Sequence, residues 1–274
     1  MSMKRMKILF LALAVLLAGA SLSAYADSKE TLVVATDSDT APFTYKKGNS
    51  FKGYDIDVVK AIFKGSKYKV TFKTVPFDSI TVGLDAGKYD LAANDYNYNE
   101  ERAQKYLFSD PISRSNYAIT SAKGKKYTSL SQLSGKTTEA IAGSNYAQIL
   151  ENWNAEHPDK TPITINYVEG TTGISSRLKN IENGKIDFIL YDAISSSYIV
   201  KDQGMDLTVS SVKDKVEKST EGLEYLLLPK NDKGKTLKTF IDKRIKALKK
   251  DGTLAKLSQT YFGGDYVSDI DWVL

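Results

Sequence analysis

Two rhythms of apolar positions alternate along this 274-residue chain. β-rich runs such as "TLVVATD" (31–37), "KVTFKTV" (69–75) and "DLAAN" (90–94) read as strands buried on one or both faces. Between them, "YDIDVVKAIFKG" (54–65) places Ile56, Val59, Ile62 and Phe63 on one helical face and ends at Gly65, a helix stop. "SITVGLDAG" (79–87) reads as a shorter helix, also stopped by glycine. The alternation resumes with strand-like "KTTEAIAG", helical "SNYAQILENWNAEH", strand-like "ITINYVE", helical "TGISSRLKNIENG" and strand-like "DFILYD". A helix over Ala193–Lys201, an apolar strand "LEYLLLP" and two closing helices, "KTLKTFIDKRIKALKKDG" and "TLAKLSQTYFG", complete the series. Strands and helices in this order predict an α/β fold with helices covering both faces of its sheets.

One stretch occurs twice. "GKYDLAAND" (87–95) and "GKIDFILYD" (184–192) share Gly-Lys-x-Asp, then mostly apolar residues, then a closing Asp. Each follows a short helix with apolar residues at helical spacing: Ile80 and Leu84 before the first, Ile174, Leu178 and Ile181 before the second. The echo predicts two similar α/β lobes, each sending a strand toward an acid at its carboxyl end. In open α/β sheets ligands sit at that end, so two facing lobes make a cleft.

Composition adds a compartment. "MSMKRMK", the apolar "ILFLALAVLLAGA" and "AYA" before Asp27 have the three parts of a secretory leader, which predicts export and cleavage after residue 26. "LAGA" (17–20) has the form of a lipoprotein cleavage box with Ala20 where the acylated cysteine would stand, and the chain contains no cysteine. Neither a thiol-linked lipid anchor nor a disulfide is therefore expected, and a mature chain of 248 residues (274 − 26) must hold itself together through its core. The net charge of +5 falls to +2 once Lys4, Arg5 and Lys7 leave with the leader (5 − 3), with the lysines spread along the chain. This balance gives no case for nucleic acid. "KGKK" (123–126) reads as a solvated loop or as a small surface-binding patch.

Few enzyme signatures remain. The single histidine, His157, ends a polar helix before Pro158. No nucleophile–histidine pairing, metal-ligand spacing or glycine-rich phosphate loop is present, so no metal and no cofactor is expected. What stands out is "DLAANDYNYNEERAQKYLFSDP" (90–111), where a core strand runs into amides, an acid and two tyrosines, with Arg102 just beyond. Arg102 and Asp192 supply opposite charges near the two echoed strands. A guanidinium can grip an amino acid's carboxylate in two parallel hydrogen bonds while a carboxylate on the other lobe takes its ammonium. By spacing alone Arg102 reads equally well as a helix-face arginine paired with a neighbour.

The segments "ATDSDTAPFTY", "FKGYDIDVVKAI", "PFDSITVGLDAGKYDLAAND", "NEERAQKYLFSDP" and "KALKKDGTLAKLSQTYFGG" span nearly the whole mature chain. In order and spacing they resemble the extracytoplasmic solute-binding proteins of polar amino acid ABC transporters. The resemblance implies the type II periplasmic-binding-protein-like fold: two α/β lobes joined by two hinge strands, with a cleft between. Lobe 1 would comprise residues 27–117 and 222–274, lobe 2 residues 118–221, and the chain would cross near Tyr117–Ser121 and Gly222–Leu226.

Position by position, the resemblance implies that Arg102 holds the ligand's α-carboxylate with help from Asn97, and that Asp192 takes the α-ammonium. The turn carrying Ser144, Asn145 and Tyr146 would meet the same carboxylate. Asp37, Thr40, Phe77, Asn94 and Asp95 would line the side-chain pocket, with Phe77 either an aromatic wall or a core residue. The family tract before the arginine is rich in Ser, Thr and Gly, whereas here it is Asn-Asp-Tyr-Asn-Tyr-Asn-Glu. That departure looks like the cystine-binding subgroup. The implied function is a non-enzymatic, monomeric receptor that delivers an amino acid, cystine foremost, to a membrane ABC permease. A lysine or arginine receptor is the nearest alternative. A cyclohexadienyl-dehydratase-like enzyme and a charge-held surface adhesin are alternatives of other classes.

Overall fold

The computed structural model describes residues 29–214 and 222–270, so the expected leader at 1–26 lies outside the described residues. Two sheets dominate. The first has strand order β5-β1-β6-β14-β7, built from β1 (Glu30–Thr36), β5 (Tyr68–Thr74), β6 (Leu91–Asn97), β7 (Tyr106–Phe108) and β14 (Leu223–Pro229), with β8 (Ser113–Arg114) also paired to β14. The second has order β11-β10-β12-β9-β13, from β9 (Tyr117–Ala122), β10 (Thr137–Ile141), β11 (Thr164–Val168), β12 (Phe188–Asp192) and β13 (Leu207–Ser211). A small sheet of β2 (Asp39–Thr40), β3 (Thr44–Lys47) and β4 (Ser50–Lys52), unforeseen in the sequence, links β1 to the first helix. Each large sheet is the centre of one lobe.

The echo is architectural. β1 runs parallel to β5 and β6, and β14 closes antiparallel on β6. β10 runs parallel to β11 and β12, and β9 closes antiparallel on β12. In both units the repeated glycine, Gly87 or Gly184, turns with positive φ. The repeated aspartate then ties the new strand to its neighbour. Asp90 donates its N–H to Val33 O and accepts the Val33 N–H at 2.8 Å. Asp187 donates to Thr137 O and accepts the Thr137 N–H at 2.9 Å.

Helices cover both faces of each sheet. α1 (Tyr54–Phe63) buries Ile56, Val58, Val59 and Ile62 completely, each such side chain contributing roughly 1.5–3 kcal/mol. Val58, Val59 and Ile62 share their core with α7 (Asp232–Lys250), α8 (Thr253–Phe262), and Leu91 and Ala93 of β6. α2 (Phe77–Asp85) packs Ile80 and Leu84 against Ala92 and Tyr96, which point from β6 to the opposite face. β12 alternates likewise. Phe188 and Leu190 meet Ile149, Leu150 and Trp153 of α4 (Asn145–Glu156), while Ile189 and Tyr191 meet Ile174, Leu178 and Ile181 of α5 (Ile174–Glu182).

The passage between sheets is tight. The chain leaves the first sheet after Arg114 and is already paired in the second at Tyr117. Tyr117–Ser121 thus lies inside the second sheet rather than in the crossing, and Leu223–Leu226 lies inside the first. Ser115 and Gly222 meet where the strands cross, with Ser115 N–H donating to Gly222 O at 2.9 Å. Gly222 has φ of 74°, and a Cβ there would stand 1.5 Å from Ser115 O, so the crossing requires glycine. Among the described residues no helix is long and apolar enough to cross a membrane.

Candidate ligand-binding site

A cavity of about 270 Å³ opens between the lobes. From the first lobe it is walled by Asp37, Thr40, Phe77, Asn94, Asp95, Asn97 and Arg102, and from the second by Ser144, Asn145 and Tyr146. Ten of the eleven positions expected at a ligand therefore meet in one place. Asp192 does not line it. This buried residue ends β12 and caps α6 (Ala193–Asp202), accepting the Ser195 N–H at 2.7 Å.

Arg102 is positioned by the amide tract that precedes it. Asn99 caps the short helix α3 (Glu100–Lys105) by accepting the Arg102 N–H at 2.7 Å. The guanidinium is buried, lies 5.0 Å over the Tyr96 ring, and donates to Asn97 O at 2.7 Å. It also reaches the other lobe, donating to Asn145 Oδ1 at 3.0 Å and Gly143 O at 3.1 Å. The Phe77 ring stacks on the same Tyr96, 5.6 Å away. It is half-buried, lining the cavity and packing on the α2 core at once, so it combines the two readings given to it.

The amides bridge the lobes. Asn99 Nδ2 donates to Asn145 Oδ1 at 2.9 Å, and Asn145 Nδ2 donates to Tyr98 O at 3.3 Å. Ser144 caps α4, so that helix starts at the cleft, where its N-terminus favours negative charge.

Acids occupy the rest of the wall. Asp95 ends the first echo in the left-handed region, with φ of 49°, a conformation aspartate tolerates better than most residues. Its Oδ2 accepts the Tyr146 hydroxyl at 3.2 Å, while its buried Oδ1 has no hydrogen-bond partner. Burial raises the Asp95 carboxyl well above the ordinary range, and the charges of Asp192 and Asp55 add to the rise. Burial likewise pushes Asp192 up to about 6, tempered by hydrogen bonds from Ser115 and the Ser195 backbone.

Asp37 and Asn94 are engaged with each other and with the fold. Asn94 Oδ1 accepts from Thr36 Oγ1 and the Asp37 N–H, and Asn94 Nδ2 donates to Asp37 Oδ2. Asp37 also accepts the Thr40 hydroxyl and the Asp39 N–H. These two residues shape the pocket more than they offer it free polar atoms. Asn97 similarly donates its amide to Leu223 O.

Several wall residues escaped sequence reading, among them Asp39, Tyr96, Tyr191 and Arg177. Arg177 carried a readable signal. Ile174, Arg177, Leu178 and Ile181 are spaced i, i+3, i+4 and i+7, so the arginine sits in the apolar stripe of α5 and is buried with it. Among the described residues no group of His, Cys, Asp and Glu is arranged to hold a metal ion.

The family model for bacterial extracellular solute-binding proteins, family 3, matches residues 32–264. The chain is 30% identical over 272 residues to the probable amino-acid-binding protein YxeM of Bacillus subtilis, covering 97% of each. It is 30% identical over 240 residues to the L-cystine-binding protein TcyA of the same organism, covering 86% of this chain and 83% of that one. Among solved structures, a chain from work on glutathione import via GshT and the cystine ABC importer TcyBC of Streptococcus mutans superposes with a TM-score of 0.81. It has 32% identity, over 88% of this chain and 98% of that one. The fold is that of type II periplasmic-binding proteins, and the chain belongs to the bacterial extracellular solute-binding proteins, family 3, a family of binding proteins rather than enzymes.

Proposed function

We propose that the chain is an exported receptor that takes L-cystine between its lobes and delivers it to a membrane ABC permease. One observation carries the reading: a single cavity is lined both by the buried guanidinium of Arg102 and by Asp95, whose buried Oδ1 has no partner. Those are the two anchors an amino-acid head needs, and in a water-poor cleft both attractions are strong. In this reading Arg102 and the N-terminus of α4 take the α-carboxylate. Asp95, with the Asp192 charge behind it, takes the α-ammonium. The relatives named for cystine support the choice of ligand. The residue roles and the lobe limits, 27–117 with 222–274 against 118–221, are part of the proposal.

A lysine or arginine receptor is the second reading, favoured by the acids Asp39 and Asp95 on the wall. Thermal unfolding against cystine, lysine, arginine and the other L-amino acids separates the two. A ligand at about a thousand times its dissociation constant adds roughly 4 kcal/mol, and each kcal/mol moves the midpoint of a protein this size by about 2–4 °C. The reading predicts a large shift with cystine. A shift with lysine or arginine and none with cystine would replace it by the second reading.

A further inference from the structure

Arg177 brings a buried guanidinium into the cleft, with the carboxylates of Asp39, Glu139 and Asp37 near enough to act on its charge but none in a close ion pair with it among the described residues. It is 4% exposed, rises from the first turn of α5 and lines the cavity. Its guanidinium lies 5.5 Å over the Tyr191 ring. The Nε is buried with no hydrogen-bond partner, and among the described residues no ion pair includes Arg177. A buried arginine that serves only the fold normally has its rigid fork of donors matched by carboxylates or carbonyls. Here a ring face is the principal neighbour, and burial lowers the guanidinium's affinity for its proton.

The surroundings indicate what is missing. Gly173 and Ile174 at the N-terminus of α5 line the same part of the cavity, and a helix N-terminus favours an anion. Asp39 reaches in from the first lobe. A Cβ on Gly173 would stand 1.8 Å from Asp39 Oδ2, so the carboxylate could keep this position only beside glycine and would otherwise swing aside. No side chain or backbone N–H among the described residues donates to the Asp39 carboxylate. A guanidinium and a carboxylate line this wall as Arg102 and Asp95 line the other, and the Arg177 charge opposes the rise that burial gives the Asp39 carboxyl.

We propose that Arg177 binds a second carboxylate at the far end of the ligand, with Asp39 beside it for that end's ammonium, so that the cleft recognises a molecule with two amino-acid heads. The inference rests on the cystine reading and deepens it by naming the residue that sets specificity. A ligand whose far end is only cationic leaves Arg177 unmatched and brings a like charge toward it. Lysine and arginine are thereby disfavoured despite the acids on the wall.

Calorimetric titration of the purified protein with two disulfides tests this. L-cystine carries both carboxylates, while the mixed disulfide of L-cysteine and cysteamine keeps the disulfide and the far ammonium but lacks the far carboxylate. The parent protein is expected to bind cystine roughly ten- to hundredfold more tightly, the range for one charge-assisted bond. Arg177→Gln is expected to bind the two within a few-fold of each other. It should also unfold, without ligand, at a temperature no lower than the parent, because it removes a buried charge that no close ion pair matches. The comparison on the parent protein needs no variant. Equal affinity of the parent for both disulfides would overturn the role of Arg177 and leave the receptor reading standing. Failure of cystine to bind would overturn the ligand assignment and this inference together.

Discussion

At the scale of single residues, the site is governed by what burial does to charge. Asp95 and Asp192 lie close enough to repel, and both carboxyls are raised by burial, Asp192 to about 6. A folded-state value above the unfolded one means that the native chain holds its proton more tightly. Such a group weakens the fold above the folded value, and this cost disappears as pH falls toward the unfolded value. The ligand-free protein should therefore lose part of that penalty between about pH 7 and pH 5, and Asp192→Asn should show a flatter midpoint across this window. Ligand binding has the opposite sign, because an ammonium needs the carboxylate ionised. Affinity should fall as pH drops through the raised range of Asp95, which faces the ammonium, and of Asp192, whose charge stands behind it. Calorimetry at about pH 7.5 and about pH 5 would show it, with protons released on binding at the lower pH. Equal affinities would mean that Asp95 does not face the ammonium. Residue by residue, the family resemblance led to positions on the cavity wall, Arg102, Asp95 and Tyr146 among them, but not at Asp192, which caps α6 instead. The sequence was least informative for Arg177, where a charge in an apolar stripe acquires meaning only once the cavity beside it is seen.

At the scale of elements, the echoed Gly-Lys-x-Asp is a stitch between neighbouring strands. Asp187 accepts the Thr137 N–H and the Thr137 hydroxyl, and those bonds hold its carboxyl below the usual range. Asp187→Ala should destabilise the protein by about 1–3 kcal/mol, the cost of leaving part-buried donors unmatched. Equilibrium denaturation would measure this, and a change under a few tenths would show the stitch to be idle. Gly222→Ala should be costlier, since it adds a left-handed backbone to a clash with Ser115 O. Most elements were legible because period and punctuation agreed, from the α1 stripe to the glycine stops. The small β2–β4 sheet and β13 were not. Their strands are two to five residues long and largely polar, and β13 is defined by a partner, β9, that is distant in sequence. The limits of β6 were also hidden. Its strand continues through Asn94, Asp95, Tyr96 and Asn97, residues that local propensity assigns to a turn.

For the whole molecule, the proposed function depends on two lobes meeting over one ligand. The cleft is bridged by Arg102 to Gly143 O, Tyr146 to Asp95, the Phe77 N–H to Gly170 O, and Ser195 to Ala41 O. Among the described residues the chain passes between the two large sheets at Ser115 and Gly222, and in the proposed reading that crossing is the hinge of a rigid-body closure. A ligand then favours the closed arrangement by the difference in its affinity for closed and open forms. Gly173→Ala should push the Asp39 carboxylate aside and so weaken binding and closure modestly, while leaving each lobe folded. Small-angle scattering with and without cystine would show a smaller ligand-induced contraction in that variant than in the parent. The central claim is that Arg102 anchors an amino acid in this cleft, and the most direct test is calorimetric titration of cystine into the parent and into Arg102→Ala. The parent is expected to bind one equivalent, and the variant to lose roughly a hundredfold or more in affinity. Cystine bound equally tightly by a folded Arg102→Ala would contradict it.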